Sequence, residues 1–413
     1  MYNSGMNKIF FHIDVNSAYL SWTALEKLHS GCEIDLRTIP AIIGGDIAQR
    51  RGVVLAKSVP AKTYGIVTGE PIVNALRKCP NLTLEPPDHK LYNRKSHELM
   101  TLLSDFCPDI EQVSVDECYM DYTPINRQYP SPEDAAHLIK DRVREQLNFT
   151  VNVGISDRKV LAKMASDFQK PDRVHTLYSY EIQKKMWPLP ISSLFMCGHS
   201  SVEALRKLEI LTIGDLAQTD RSIIEAHMKS HGVLLWEYAN GIDDSQVAVT
   251  HADAKGIGNS TTLSEDAKDH ATAHRVLLSL SESVSRRLRA AGYSAAMVSV
   301  EIKYNTFRKV SHQTTFFTPT NQTDLIYQTA CTLFDEIWDG TPVRLLGIRS
   351  SKLVPADEPV QMSLFDLPTP MTPDTSEKKE KLDAALDSIR KRYGEDAVVR
   401  GSLLEPKKPK NKE

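Results

Sequence analysis

Residues 114–121 read Ser-Val-Asp-Glu-Cys-Tyr-Met-Asp, and this stretch limits the possible folds more than any other. Asp116 and Glu117 lie between strand-forming runs, Ile110, Val113 and Val115 before them and Tyr119 and Met120 after. Neighbouring side chains on a straight strand point to opposite faces. The two acids can therefore serve one site only if the chain turns there, as in a hairpin. A third acid, Asp14, closes the apolar run Lys8-Ile9-Phe10-Phe11-His12-Ile13. A carboxylate at the end of such a run is costly to bury unless a cation or a metal ion pairs with it. Three carboxylates converging from two strands suit one or two Mg²⁺ ions, the arrangement that steadies attacking and leaving oxygens in phosphoryl displacement.

The chain around these acids is expected to split into several domains, because 413 residues exceed what one core serves. Six widely spaced cysteines, with no Cys-x-x-Cys pair, argue against structural thiolate zinc and a disulfide framework, and fit a reducing cytoplasm. No signal peptide is read at the N-terminus, and no apolar run is long enough for a membrane span. The net charge of −3 does not by itself suggest nucleic acid. Residues 255–355, however, carry 12 Lys and Arg against 9 Asp and Glu, so the acidic excess lies elsewhere. A mildly basic segment beside an acidic catalytic part suits phosphate binding.

Periodicity predicts a helix from Leu91 to Phe106 and another from Ser131 to Leu147, with Ser131 as N-cap and Pro132 at the first helical position. A strand Thr150–Ile155 and a helix Lys159–Phe168 follow. With the Asp14 strand and the Asp116 hairpin, this is the βαββαβ order of a split-βαβ, ferredoxin-like sheet. Residues 38–78 read as two strands around Gly44-Gly45-Asp46 and Arg50-Arg51-Gly52, followed by two short helices. Residues 177–240 read as helical, and 241–254 as a polar linker. Strands at Met297–Tyr304 and Gln313–Phe317, with helices near His270–Ala291 and Asp324–Trp338, make a second α+β unit. Beyond Pro355 the chain is Pro-rich and charged, and is expected to lack structure except for a helical patch near Lys381–Tyr393.

With Asp14 through Tyr19, Gly44 through Val54, Pro60-Ala61-Lys62, Ser114–Asp121 and Asn152–Pro171 in hand, the chain resembles the Y-family (translesion) DNA polymerases of the bacterial DNA polymerase IV type. The resemblance runs in order from residue 8 to about 355, with a family-like tail beyond. It implies an α+β right-hand polymerase: a ferredoxin-like palm (6–16 and 79–176), small fingers (17–78), a helical thumb (177–240), a linker (241–254), an α+β little finger (255–355) and a tail (356–413). It also implies metal binding by Asp14, Asp116, Glu117 and the Val15 backbone carbonyl, with two Mg²⁺ ions. The implied reaction is attack of a primer 3′-hydroxyl on the α-phosphate of a deoxynucleotide. Low fidelity and the lack of a proofreading exonuclease belong to the same implication.

The resemblance makes Tyr19 the steric gate that refuses ribonucleotides. It places Val59, Lys62 and Lys170 on the incoming triphosphate. Val59 stands where the family usually has tyrosine, and Lys62 where it usually has arginine, which turns a two-pronged grip into a point charge. Lys62 also reads as a solvated surface lysine. The stretch around Gly198 resembles a helix–hairpin–helix that holds DNA phosphate through backbone N–H groups. Met196 and Glu209 occupy positions often held by glycine, so a purely structural helical hairpin stays open. Arg286, Arg287, Arg289, Lys303, Arg308 and Lys309 are candidates for tracking the template backbone. In the tail, Gln361, Leu364 and Phe365 resemble a sliding-clamp-binding peptide. The partners implied are primer–template DNA, deoxynucleotides and the clamp, with the chain itself a monomer and no membrane involved. Gly44-Gly45-Asp46 also fits the turn of a dinucleotide cyclase, but it lies apart from the Asp116 hairpin and reads as a tight turn. Two other functions stay in view: a palm-based nucleotidyl transferase or cyclase, and a non-catalytic DNA- and clamp-binding subunit.

Overall fold

The computed structural model describes residues 8–46, 52–249, 254–357 and 373–403. They fall into two compact units, divided near residue 251. In chain order the strands of the first unit are β1 (Phe10–Val15), β2 (Ala41–Gly44), β3 (Val54–Lys57), β4 (Thr83–Glu85), β5 (Ile110–Gln112), β6 (Glu117–Asp121), β7 (Val151–Ser156) and β8 (Val174–Thr176). Those of the second are β9 (Gly256–Ala267), β10 (Tyr293–Tyr304), β11 (Lys309–Thr320) and β12 (Val343–Pro355).

The central sheet of the first unit has the order β5-β6-β1-β7-β8. β1 is antiparallel to both its neighbours, and β8 adds parallel to β7. Without β8 this is the ferredoxin-like arrangement expected from the βαββαβ order. Alternation sorts the two faces. Phe11, Ile13 and Val15 of β1, with Cys118 and Met120 of β6, point into a core closed by the helices His89–Ser104 and Pro132–Leu147. Ser131 caps the second of these helices by accepting from Asp134 N, and Pro132 sits in its first turn, as read from the sequence. His12, Asp14, Glu117 and Tyr119 therefore lie on the opposite face, over which the helix Lys159–Ser166 packs.

Gly154 of β7 makes that packing close. A Cβ added there would lie 2.0 Å from the Ala162 carbonyl oxygen and 2.5 Å from Ser166 N. The far side of the same helix gives Leu161 and Met164 to a core shared with the helices His199–Arg206, Ile213–Gln218 and Arg221–Ala239. A small sheet of order β3-β2-β4 is inserted between β1 and the helix His89–Ser104. Its strand β4 is an addition to the sequence reading, because three residues are too few to show a period. β2 ends at Gly44, and Arg50 and Arg51 lie outside the described residues. The stretch 241–249 has no regular structure, yet it is tied down. Val160 N donates to Asp243 Oδ2 (2.9 Å), Lys159 Nζ to the Gln246 carbonyl (3.0 Å) and Ala248 N to Glu111 Oε2 (2.7 Å).

The second unit is a four-stranded sheet of order β11-β10-β12-β9. One face is covered by the helices His270–Ala290 and Thr323–Ile337, which meet Val298, Val300 and Ile302 of β10. The sequence reading omits β9 and β12. β9 is an edge strand that buries only Ile257, Leu263 and Ala267, so its alternation is broken by polar residues.

The tail departs from the sequence reading. A helix spans Pro373–Tyr393, longer than the expected patch, and its charges are matched to the second unit. Arg289 donates to Asp387 Oδ2 (2.7 Å) and Asp383 Oδ2 (3.1 Å), and Arg390 to Glu282 (3.3 Å). Arg400 donates to Glu282 Oε1 (2.9 Å) and Asp324 Oδ1 (3.0 Å). Buried Asp383 also accepts from Thr323 N, at the start of the helix Thr323–Ile337. A composition-based reading counts such charges as solvation; here they find partners on another element, which composition cannot show.

Candidate active site

The turn demanded by adjacent Asp116 and Glu117 is present. Val113 N and Ser114 N both donate to the Glu117 carbonyl (3.1 and 3.2 Å), which folds residues 113–116 back before β6 begins. In the antiparallel register Asp14 is the direct partner of Glu117. Val15 N donates to the Asp116 carbonyl (2.9 Å), so the backbones of β1 and the turn are fastened beside the acids. The three carboxylates thus gather at one end of the β1–β6 pair.

Two lysines enter this group. Lys163 Nζ, on the helix over the sheet, donates to Glu117 Oε2 (2.8 Å) and lies 3.4 Å from Asp14 Oδ2. Lys170 Nζ donates to Asp14 Oδ1 (2.9 Å) and is 2.9 Å from Asp167 Oδ1. His12 Nε2 stands 3.3 Å from Glu117 Oε2 in a bent contact, and its Nδ1 pairs with Ser166 Oγ at 2.8 Å. The His12 contact and the Lys163 ammonium hold the Glu117 carboxyl down at about 2 against the effect of burial. Burial keeps His12 itself below the usual imidazole range, so the ring is neutral near pH 7. Asp116 behaves the other way. Burial, then the charges of Asp14 and Glu117, push its carboxyl up, although Ser114 Oγ donates to Asp116 Oδ1 at 2.6 Å. An added cation would relieve that repulsion.

The sequence reading omits His12 and Lys163. A partial signal existed for His12, which alternates with Asp14 on β1; Lys163 had none, because the acids lie on other elements. Lys163 does lie inside the stretch Asn152–Pro171 that carries the family resemblance.

The other expected residues fall into two groups. The Tyr19 ring lies flat on Tyr92, with centroids 4.1 Å apart and planes 6° apart, and edge-on to His89. Burial and the nearby Asp116 charge raise its hydroxyl above the usual phenol value. Val59, Lys62 and Lys170 line one cleft with Ser17 and Arg37, so the residues read as triphosphate contacts share a wall. Met196 and Glu209 have φ of +65° and +62°, the left-handed conformation that explains why glycine suits those positions. Gly198 caps the helix His199–Arg206 without a side chain.

In the second unit, Arg289 is taken up by Asp383 and Asp387, which removes it from the residues free to follow a template. Arg287 donates to the Gly258 carbonyl (2.7 Å), Lys309 pairs with Glu301 (3.0 Å) and Arg308 with Asp339. Lys303 sits 4.5 Å over the Phe307 ring. Arg286 borders a groove with Arg390 and Val398. The sheet face away from the helices is open and lined by Asn259, Ser299, Ser311, Gln313 and Arg349, none of them singled out from the sequence. Gln361, Leu364 and Phe365 lie outside the described residues.

The model of the impB/mucB/samB family matches residues 13–167, and that of the family's C-terminal domain matches 254–364. A protein of Clostridium acetobutylicum named DNA polymerase IV is 48% identical over 400 residues, 97% of this chain and 99% of its own. The chain belongs to the Y-family DNA polymerases, of the DNA polymerase IV type. A second DNA polymerase IV, from Alkaliphilus oremlandii, is 35% identical over 97% of this chain and all of its own. Among solved structures, the Y-family DNA polymerase chimera Dbh-Dpo4(243-245)-Dbh superposes with a TM-score of 0.73. It covers 84% of this chain and 99% of its own at 20% identity, a likeness of fold. The right-hand polymerase architecture expected from the sequence is thus the one adopted. Y-family polymerases use divalent metal ions, and the donors here fit such an ion: Asp14 and Glu117 bring hard carboxylate oxygens within 4.8 Å of each other, with His12 in the same group and Asp116 in the adjoining turn. No described helix is long and apolar enough to cross a membrane.

Proposed function

We propose that this chain is a template-directed DNA polymerase for lesion bypass, with its chemistry centred on Asp14, Asp116 and Glu117. The observation that carries the reading is the β1–β6 register, which sets Asp14 against Glu117 with Asp116 in the adjoining turn. Asp14, Asp116, Glu117 and the Val15 carbonyl would hold two Mg²⁺ ions. Bound there, the ions supply Lewis acidity at the 3′-hydroxyl and at the phosphate oxygens. The primer 3′-hydroxyl loses its proton to solvent as its oxygen bonds to the α-phosphorus of the deoxynucleotide, the bond from that phosphorus to the α,β-bridging oxygen breaks, and pyrophosphate leaves.

The chain's own groups position and balance charge. Lys163 sits between Asp14 and Glu117 and offsets the repulsion of converging carboxylates. Lys62 and Lys170 face the cleft where a triphosphate would lie, without a hydroxyl from Val59. Tyr19, held flat against Tyr92, is the gate beneath the sugar. The regions act as palm (6–16 and 79–176), fingers (17–78), thumb (177–240), linker (241–254) and little finger (255–355). In the little finger, Lys303 and Arg349 beside the open sheet face are the cations best placed for the template backbone, with hydroxyl and amide donors between them. Gln361, Leu364 and Phe365 dock the sliding clamp, and tethering replaces intrinsic grip with effective concentration. The enzyme works as a cytoplasmic monomer.

The test is primer extension with Mg²⁺ and deoxynucleotides. Template-directed extension by the wild type, abolished in Asp116→Ala with duplex binding retained, is the expected result. Product without a template would favour a cyclase or other transferase, and DNA binding without synthesis a non-catalytic subunit.

A further inference from the structure

His270 and His274 stand one turn apart on the helix His270–Ala290, so both rings lie on the same side. Asp335, on the helix Thr323–Ile337, faces them. Both rings aim at one oxygen: His270 Nδ1 is 2.7 Å and His274 Nε2 is 2.8 Å from Asp335 Oδ1. The three donor atoms lie within 4.8 Å of one another. Apolar walls set the ring directions. Buried Phe334 stands edge-on to both imidazoles, at centroid distances of 6.1 and 5.9 Å, and Trp338 stands edge-on to His270 at 4.6 Å. Asp269 fixes the first turn of the helix by accepting from Thr272 N at 2.7 Å. The rings are therefore aimed before any ligand arrives.

One helix end favours the same use. His270 and His274 lie in the first two turns of their helix. Asp335 lies in the last turn of its own helix, whose negative end attracts a cation. In a tetrahedral site with metal–ligand bonds of about 2.0–2.2 Å, donor atoms stand roughly 3.3 Å apart. Seating an ion between the rings and the carboxylate therefore requires the two histidine–carboxylate pairs to open by about half an ångström, a small side-chain rotation. The exposure of His270 and Asp335, 56% and 40%, leaves the point reachable from solution.

We propose that His270, His274 and Asp335 bind a divalent late first-row transition ion, Zn²⁺ foremost, with a fourth position open to water. Two imidazoles and one carboxylate favour Zn²⁺, Ni²⁺, Co²⁺ or Cu²⁺ over Mg²⁺, whereas the hard oxygens of Asp14, Asp116 and Glu117 suit Mg²⁺, which excess Mg²⁺ keeps there. The ion would join the start of one covering helix to the end of the other, a staple across the helical layer of the second unit. This site is independent of the polymerase reading.

The test uses the full-length protein in excess Mg²⁺, titrated with Co²⁺, followed by visible absorption and equilibrium dialysis. One equivalent with the intense bands of a four-coordinate ion, displaced by Zn²⁺, is expected. His274→Ala and Asp335→Ala should each weaken that equivalent by about ten-fold or more, and Asp116→Ala should keep it. His270→Ala, which removes an exposed ring, should lose the bands with the circular dichroism spectrum unchanged. Zn²⁺ should raise the unfolding temperature of the wild type and leave that of His270→Ala where it is. Bands unaltered in His270→Ala and His274→Ala, or lost in Asp116→Ala alone, would overturn the proposal by placing the ion at the other carboxylates. So would the absence of Co²⁺ and Zn²⁺ binding at micromolar concentration, which would leave the two histidines as hydrogen-bond partners of Asp335.

Discussion

Gly154→Ala should damage the site from beneath without touching an acid. The new Cβ would stand 2.0 Å from the Ala162 carbonyl oxygen, where 3.4 Å begins ordinary contact. The helix Lys159–Ser166 must then rise from β7 by roughly 1.4 Å, because the obstructing atoms, Ala162 O and Ser166 N, are backbone and cannot rotate away. Overpacking of this kind costs about 1–3 kcal/mol, and the rigid clash puts the expected cost at the upper end. For a unit of this size that is a fall of about 6–12 °C in unfolding temperature. Lys163 rides on the displaced helix, and its 2.8 Å contact to Glu117 would be lost. A misplacement of about 1 Å near a reacting centre costs on the order of a hundredfold in rate. Single-turnover primer extension and thermal unfolding read the two effects. Wild-type unfolding temperature and rate in Gly154→Ala would refute the argument that this close approach sets the position of Lys163.

Three further outcomes can be checked. Tyr19→Ala removes the ring stacked on Tyr92 and should raise ribonucleotide use relative to deoxynucleotide use by about tenfold or more; competitive incorporation measures this, and an unchanged ratio would move the gate elsewhere. Burial alone would raise the Asp324 carboxyl, but Arg400 and Lys379 outweigh it and hold it below the usual range. Its ionised form therefore steadies the docked tail above the usual carboxylate pKa, and this contribution goes as pH falls through the lowered value. Hydrogen exchange in the helix Pro373–Tyr393, corrected for intrinsic rates, should quicken on acidification before β10 and β12 lose protection, and simultaneous loss would count against this role. Replacing Leu364 and Phe365 with alanine should remove stimulation by a loaded clamp and leave unstimulated extension on short primers unchanged; equal stimulation would place clamp docking elsewhere.

Much of the site was legible because its acids sit in local patterns. Adjacent Asp116 and Glu117 required a turn, Asp14 closed an apolar strand, and the order of elements put those strands in one sheet. His12 and Lys163 were not legible in the same way. Their roles depend on which face of β1 is covered and by which helix, a tertiary fact with no sequence period of its own. The docked tail escaped for a related reason. Asp383, Asp387, Arg390 and Arg400 resemble solvated charge until their partners Arg289, Glu282 and Asp324 are brought opposite them. The left-handed conformations at Met196 and Glu209 were legible only as a departure, two side chains where glycine would be easier.

The register that sets Asp14 against Glu117 also bears on how the molecule is assembled. The two strands belong to segments separated by the whole inserted sheet β3-β2-β4, so they meet only by long-range pairing. A slip of one residue would turn a carboxylate from the site face toward Phe11, Ile13 and Met120. That chain would lose its activity and bury a charge among hydrocarbon in the same step, at a cost of several kcal/mol. Inactive misfolds of this kind would therefore also be unstable ones, open to proteolysis. The acids that make the enzyme reactive are in this way a penalty on every neighbouring register.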